Sequence, residues 1–162
     1  MPSDNVTPFR RPPKRVQQKQ QQGFGFKTHR GKAVLVQALT IATYAWAYFF
    51  PFPPPPDAAL QMWVFSSFTF ALALAALSLA MSNRYDAMPW AATHHEHALR
   101  TLVFGFIVWS IADALTYISG ALMVVAWYVH LAVLAWVAIR TVIGLGLALL
   151  RRPIPRPRGV LI

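Results

Sequence analysis

The sequence predicts an all-α integral membrane protein with four transmembrane helices and both termini in the cytoplasm. Hydrophobic residues make up 56% of its 162 positions and charged residues only 12%, whereas about a quarter of a soluble domain is charged. Several uncharged stretches are long enough to cross a hydrocarbon core of roughly 30 Å as helices. All but one of the fifteen Lys and Arg residues lie in segments 1–32, 84–100 and 151–162, and basic flanks of this kind stay on the cytoplasmic side.

The two ends of the chain are predicted to lie outside the membrane. Residues 1–32 contain four prolines, a glutamine-rich run and eight Lys or Arg residues, which predicts a disordered basic arm and argues against a cleaved signal peptide. Residues 151–162 interleave proline with arginine. They are expected to form a non-helical cytoplasmic tail that lies extended along the anionic membrane surface.

A membrane domain is predicted at residues 33–150, and its first two spans at 33–50 and 58–82. The first span ends in an aromatic cluster typical of a membrane interface. The connector 51–57 has five prolines and no basic residue, so we expect it to face away from the cytoplasm. The second span has alanines four apart, which either admit a neighbouring helix or simply reflect the composition of membrane helices. These pairs are Ala71 with Ala75 and Ala76 with Ala80.

The third and fourth spans are predicted at 98–119 and 121–150, as a tight C-terminal hairpin that turns at Gly120. Just before the third span, Thr93 and Glu96 have the spacing of a capping box. In that motif the first side chain caps the helix and the second reaches back to the backbone of the first. The sequence therefore predicts that the third helix begins after Thr93.

Asp113 and His130 are ionisable residues inside predicted spans. At about 1.5 Å per residue, they lie roughly 10 and 15 Å from the turn, on antiparallel neighbours. Ionisable groups at such depth are costly and usually contact protein, water or each other. The pair is interpreted either as a structural pin between two helices or as a site that handles protons or substrate.

Arg100 and Arg140 lie at matched distances on either side of Gly120, each 20 residues from it. They are therefore expected at the same inner boundary of the membrane. A guanidinium there can bind a lipid phosphate with two hydrogen bonds, or pair with Asp86 or Glu96. We predict an interfacial basic pair for an anionic phospholipid headgroup or an acidic partner, with simple anchoring at the interface as the alternative.

No constellation in the sequence predicts catalysis. The chain has no cysteine, which excludes disulfides, thiol nucleophiles and iron–sulfur clusters. His94 and His97 share a helix face and are weak candidates for metal ligands, but they lack the spacing of zinc hydrolases. No nucleic-acid-binding motif is present. The sequence therefore predicts a protein that is not an enzyme, with no cofactor, no metal site and no nucleic-acid partner.

Several short motifs in the second half of the chain occur in the order found in one known family. The chain resembles a family of small bacterial inner-membrane proteins of unknown function, which are distantly similar to the channel-forming small component of the chloroplast inner-envelope import translocon. The motifs are Asn83-Arg84-x-Asp86-Ala87-x-x-Trp90-x-x-x-His94, Arg100-Thr101 followed by Gly105, Ile139-Arg140-Thr141-Val142-Ile143-Gly144-Leu145, and Arg151-Arg152-Pro153-Ile154-Pro155.

The resemblance covers residues 72–162 and implies a bacterial inner-membrane, multi-pass location. It marks Trp90, His94, Arg100 and Arg140 as motif positions, but it supplies no activity. Together with the composition, it favours a non-enzymatic structural, assembly or accessory subunit that packs against another membrane protein or a second copy of itself. The alternative is a small transporter or channel-like protein that uses the Asp/His pair.

Overall fold

All regular structure in the computed structural model is helical, within the residues that it describes: 25, 27–49, 59–86, 88–157 and 159. The predicted all-α class is confirmed for this part of the chain. The helices are α1 (His29–Phe49), α2 (Ala59–Ser82), α3 (Pro89–Ile118) and α4 (Leu122–Leu149).

The predicted N-terminal arm lies mostly outside the described residues, as does the proline-rich connector at 51–57. The last four residues of the predicted arm belong to α1, because the helix begins at His29 and not at 33. Thr28 explains this start: its hydroxyl accepts a hydrogen bond of 3.1 Å from the backbone N–H of Gly31. A threonine that caps the third helical N–H is a common helix start.

The start of α3 differs from the capping-box prediction, which is wrong. The helix begins at Pro89, whose fixed φ suits the first helical position. Thr93 lies inside the helix and donates its hydroxyl to the carbonyl of Trp90 at 2.7 Å, while Glu96 contacts arginine side chains. The residues from Trp90 to His97 are therefore helical and not part of a loop.

Two helices of the described chain, α3 and α4, are long and apolar enough to cross a membrane. The stretch Ser66–Ser82 of α2 is apolar but shorter. Helices α3 and α4 are therefore two of the four predicted spans.

The four helices run alternately up and down. α1 packs against all three others, α3 packs against α2 and α4, and α2 and α4 make no contact within the described residues. The central apolar cluster comprises Tyr44, Ala76, Leu102, Val133 and Val137. Of the two alanine pairs in α2, Ala76 and Ala80 are fully buried in the bundle, while Ala71 and Ala75 are exposed.

The end of α4 determines where the tail goes. The N–H of Arg151 donates to the carbonyl of Ala148 at 3.1 Å, and the N–H of Arg152 donates to that of Leu147 at 2.9 Å. This is the Schellman pattern, which places the residue after the cap in the left-handed region. Arg151 has φ 55°, so the chain reverses there and returns toward the bundle.

Candidate functional site

Helices α1 and α3 run in one direction and α2 and α4 in the other, so the start of α1, the α2–α3 loop and the end of α4 lie at one end of the bundle. We call it the polar end. His29 Nδ1 lies 2.6 Å from Asp86 Oδ1, and Lys32 donates to Asn83 Oδ1 at 2.8 Å. These two contacts bind the first turn of α1 to the α2–α3 loop. Arg30 donates to a backbone carbonyl at the end of α4 at 2.7 Å.

Three histidines at the start of α3 are buried in the polar end: His94, His95 and His97. Gln37 of α1 donates to the carbonyl of His94 at 3.3 Å, and its amide nitrogen lies 3.5 Å from His97 Nδ1. Neither ring nitrogen of His95 has a hydrogen-bond partner within the described chain. The two weak metal candidates, His94 and His97, thus belong to a packed helix interface.

The described residues contain no group of three or more His, Asp or Glu side chains that could hold a metal ion. Nor do the polar contacts of this end form a nucleophile with its base. The contacts that are present join side chains to the backbone or to side chains of other elements, which holds the helices in register.

Arg140 is buried at the polar end, with only 2% of its surface exposed. Its Nε donates to the hydroxyl of Thr101 at 3.1 Å and its Nη1 donates to the carbonyl of Gly159 at 2.8 Å. Its guanidinium also lies 5.1 Å from the ring centroid of Trp136, within the range of a cation–π contact. This arginine therefore links α3, α4 and the tail.

The described residues of the tail pack against the bundle, which the sequence did not predict. The N–H of Ile154 donates to the hydroxyl of Thr93 at 3.0 Å, and the Ile154 side chain is buried. The carbonyl oxygen of Arg152 lies 3.0 Å from His94 Nε2. With the contact between Arg140 and Gly159, these bonds fix the tail across the ends of α3 and α4.

Arg100, predicted to act together with Arg140, is exposed and belongs to a separate cluster. Its Nε contacts Glu96 Oε1 at 2.7 Å, and Nε of Arg84 contacts Glu96 Oε2 at 3.1 Å. One carboxylate thus holds two guanidiniums, and the structure divides the predicted pair into a buried arginine and an exposed one. Both nevertheless line the same groove between α3 and α4, which has a volume of about 320 Å³.

Asp113 and His130 contact each other toward the opposite end of the bundle. His130 Nε2 lies 3.1 Å from Asp113 Oδ1, and the imidazole stacks on Trp109 with the ring centroids 4.1 Å apart. About half of the Asp113 side chain is exposed, against 17% of that of His130. The central apolar cluster lies between this pair and the polar end.

The four motif positions, Trp90, His94, Arg100 and Arg140, all lie at the polar end. Trp90 contacts His94 edge to face with the ring centroids 5.9 Å apart, so both lie at the polar end with Arg140.

Sequence reasoning missed the part played by Gln37 and Tyr44. A glutamine in an apolar span was the available signal, because polar groups inside a span usually find a protein partner.

No protein-family model, curated protein or solved structure matches this chain.

Proposed function

We propose that this protein is a four-span membrane protein of the bacterial inner membrane that acts as a non-enzymatic structural or accessory subunit. The distribution of apolar surface supports membrane placement. Large apolar side chains are more than half exposed along α2, α3 and α4, far more than a soluble monomer presents to water. They include Val64, Phe70, Phe106, Ile111, Val124, Ile139 and Val142.

The interior supports the same placement, because it is more polar than this surface. Gln37, Thr40, Thr101, Thr141 and Arg140 are buried among the helices. In a lipid environment, polar side chains gain most by bonding to neighbouring helices, and apolar side chains lose nothing by facing outward.

The orientation is proposed from the polar end, where the described parts of the three basic segments meet. Basic flanks are retained in the cytoplasm, so in our proposal the polar end faces the cytoplasm. Reporter fusions after Asp57 and Gly120 should then show a periplasmic location, and fusions at Asp86 and Ile162 a cytoplasmic one. A periplasmic signal at Ile162 would rule out the four-span arrangement.

The accessory role rests mainly on one observation: several polar side chains of the polar end form contacts between the helices or between a helix and the tail. Gln37, Thr93, His94 and Arg140 each contact the backbone of another element. Groups used in this way stabilise one arrangement of the helices. The resemblance to bacterial inner-membrane proteins of unknown function stays a prediction and adds no activity.

The test is purification of a tagged full-length copy in a mild detergent, with its mass measured by light scattering. An accessory subunit should elute with a second membrane protein in fixed proportion, and loss of this chain should lower the abundance of that protein. If the protein is a monomer or homo-oligomer, and its deletion changes no other membrane protein, the accessory role is refuted.

A transporter or channel-like role is the second candidate, and the contact between Asp113 and His130 is the observation that favours it. Asp113→Asn and His130→Gln retain hydrogen-bonding groups but cannot exchange protons in the same way. A structural pin should tolerate them with a loss of about 0.5–1.5 kcal/mol. If either variant accumulates normally but fails to complement a growth defect of the deletion strain, the transporter role replaces the accessory one.

A further inference from the structure

The groove between α3 and α4 is charged at one end and apolar along its length. At the polar end it is bordered by Arg84, Arg100 and the Glu96 carboxylate between them. Its floor at that end includes Arg140 and the backbone of Gly159. The groove therefore has three guanidiniums and one carboxylate at its head.

The rest of the groove is an apolar wall, formed by Val103, Phe104 and Ile107 of α3 with Trp136 of α4. Residues 100, 103, 104 and 107 share one helix face, and the seven steps from the first to the last cover about 10 Å along the helix axis. Phe104 and Trp136 contact each other with the ring centroids 5.5 Å apart. The wall thus extends from the arginines toward the middle of α3.

Arg84, which is partly buried, and the exposed Arg100 are held so that part of each guanidinium remains available. Each contacts Glu96 through its Nε, and within the described residues the Nη atoms of Arg84 and Arg100 make no hydrogen bond. Two guanidiniums fixed by one carboxylate can therefore direct several N–H groups at one anion. A phosphate oxygen pair suits this arrangement, because guanidinium binds it with two parallel hydrogen bonds.

We propose that this groove binds an anionic phospholipid, with its phosphate against Arg84 and Arg100 and one acyl chain along the apolar wall. The proposal rests on the membrane placement proposed above. Charge complementarity favours an anionic lipid over a zwitterionic one, since a choline or ethanolamine group would meet three cations. The order of the groove also matches a lipid, with charge at the interface and apolar surface toward the membrane interior.

The experiment titrates the purified full-length protein, in a neutral detergent, with dioleoyl phosphatidylglycerol or dioleoyl phosphatidylcholine. Binding is followed by native mass spectrometry and by the shift in Tm. We expect phosphatidylglycerol to bind at least tenfold more tightly than phosphatidylcholine. Equal binding of the two lipids would overturn the proposal.

Two variants test the two parts of the groove. Arg100→Gln should weaken phosphatidylglycerol binding about tenfold, the usual worth of a charge-assisted hydrogen bond, and Arg100→Lys should recover part of it. Arg156→Gln is the matched control, since Arg156 is exposed on the tail and outside the groove residues. A loss as large in the control would mean that overall charge, and not this site, attracts the lipid.

Val103→Trp tests the apolar wall without a change of charge. The added ring fills the groove beside Phe104 and should weaken lipid binding about tenfold, whereas Val142→Trp on the exposed face of α4 should have no effect. The Tm without lipid shows whether each variant folds. Unchanged phosphatidylglycerol binding in a folded Val103→Trp protein would refute the position of the acyl chain.

Two competitors test whether the bound anion belongs to a lipid. Glycerol phosphate, which has the phosphate but no acyl chain, should not displace the lipid at millimolar concentration, and polyglutamate should not displace it either. Displacement by either would overturn the proposal in favour of a soluble anion or an acidic protein.

Carbonate extraction of membranes tests the placement separately, because an extracted protein refutes the proposed membrane role whatever lipid it binds.

Discussion

Gly105 of α3 provides the sharpest test of the helix packing, because the Tyr44 side chain of α1 occupies the space that a Cβ at this position would need. A Cβ at this position would lie 2.5 Å from the Tyr44 hydroxyl and 2.8 Å from Cζ of the same ring. The ring cannot easily move away, since its hydroxyl donates to the carbonyl of Leu102 at 2.7 Å and its side chain is only 4% exposed. Gly105→Ala should therefore displace Tyr44.

The expected magnitude follows from three effects. Overpacking of a close contact costs about 1–3 kcal/mol, and loss of the Tyr44 hydrogen bond costs about 1 kcal/mol. Replacing glycine by alanine within a helix gains up to about 1 kcal/mol. Gly105→Ala should thus destabilise the protein by about 1–3 kcal/mol.

Gly146 offers the matched control, because a Cβ there would have no atom within 4 Å. Gly146→Ala should leave the free energy of unfolding unchanged or raise it by up to about 1 kcal/mol. Gly144 lies between these cases, since its Cβ would meet the Gln37 side chain at 2.9 Å. Gly144→Ala should cost less than Gly105→Ala, because the Gln37 amide is the end of a flexible side chain and can rotate away.

The assay is unfolding of the full-length protein in mixed micelles by increasing SDS, followed by far-UV circular dichroism. Tyr44→Phe adds a second check, because it removes the atom that lies 2.5 Å from the new Cβ. The two substitutions should be coupled, and the double variant should lose less than the sum of the single losses. A Gly105→Ala protein as stable as wild type would refute the packing of Tyr44 against α3.

Three further predictions concern the polar end. Arg151→Gly should stabilise the protein by about 0.5–1 kcal/mol in the same assay, because glycine adopts the observed φ of 55° without a Cβ penalty. Thr93→Val removes the acceptor of the Ile154 N–H and should speed protease cleavage of the tail, whereas Thr116→Val, which removes only a bond within α3, should not. Arg140→Gln should cost about 1.5–3 kcal/mol through its lost charged bonds and also expose the tail; unchanged cleavage would contradict its role as an anchor.

The helices could be predicted from the sequence because each produces a local signal. Long apolar runs predicted α3 and α4 close to their observed C-terminal ends, and the turn at Gly120 separates them as expected. The start of α3 was missed because two local signals compete there. Thr93 with Glu96 resembles a capping box, but Pro89 at the first helical position determines where the helix begins.

The site was less predictable because its contacts join distant parts of the chain. The bond from Ile154 to Thr93 spans 61 positions, and the contact of His94 with Arg152 spans 58. Nothing local in a proline- and arginine-rich tail shows that it will return to a helix start. Their equal distances from Gly120 predicted that Arg100 and Arg140 lie at the same end of the hairpin. Only the packing of Trp136 and the tail shows which of the two is buried.

The tail and the groove are structurally linked, and this connects the stability of the polar end with lipid binding. Gly159 accepts the hydrogen bond from Arg140 and also lines the head of the groove. A tail that left the bundle would remove one border of the groove and leave a buried guanidinium without one of its acceptors, which is costly in a low-dielectric site. An anion bound at Arg84 and Arg100 would lie beside the docked tail. By mass action, a ligand that needs the tail in place stabilises the state in which the tail is docked.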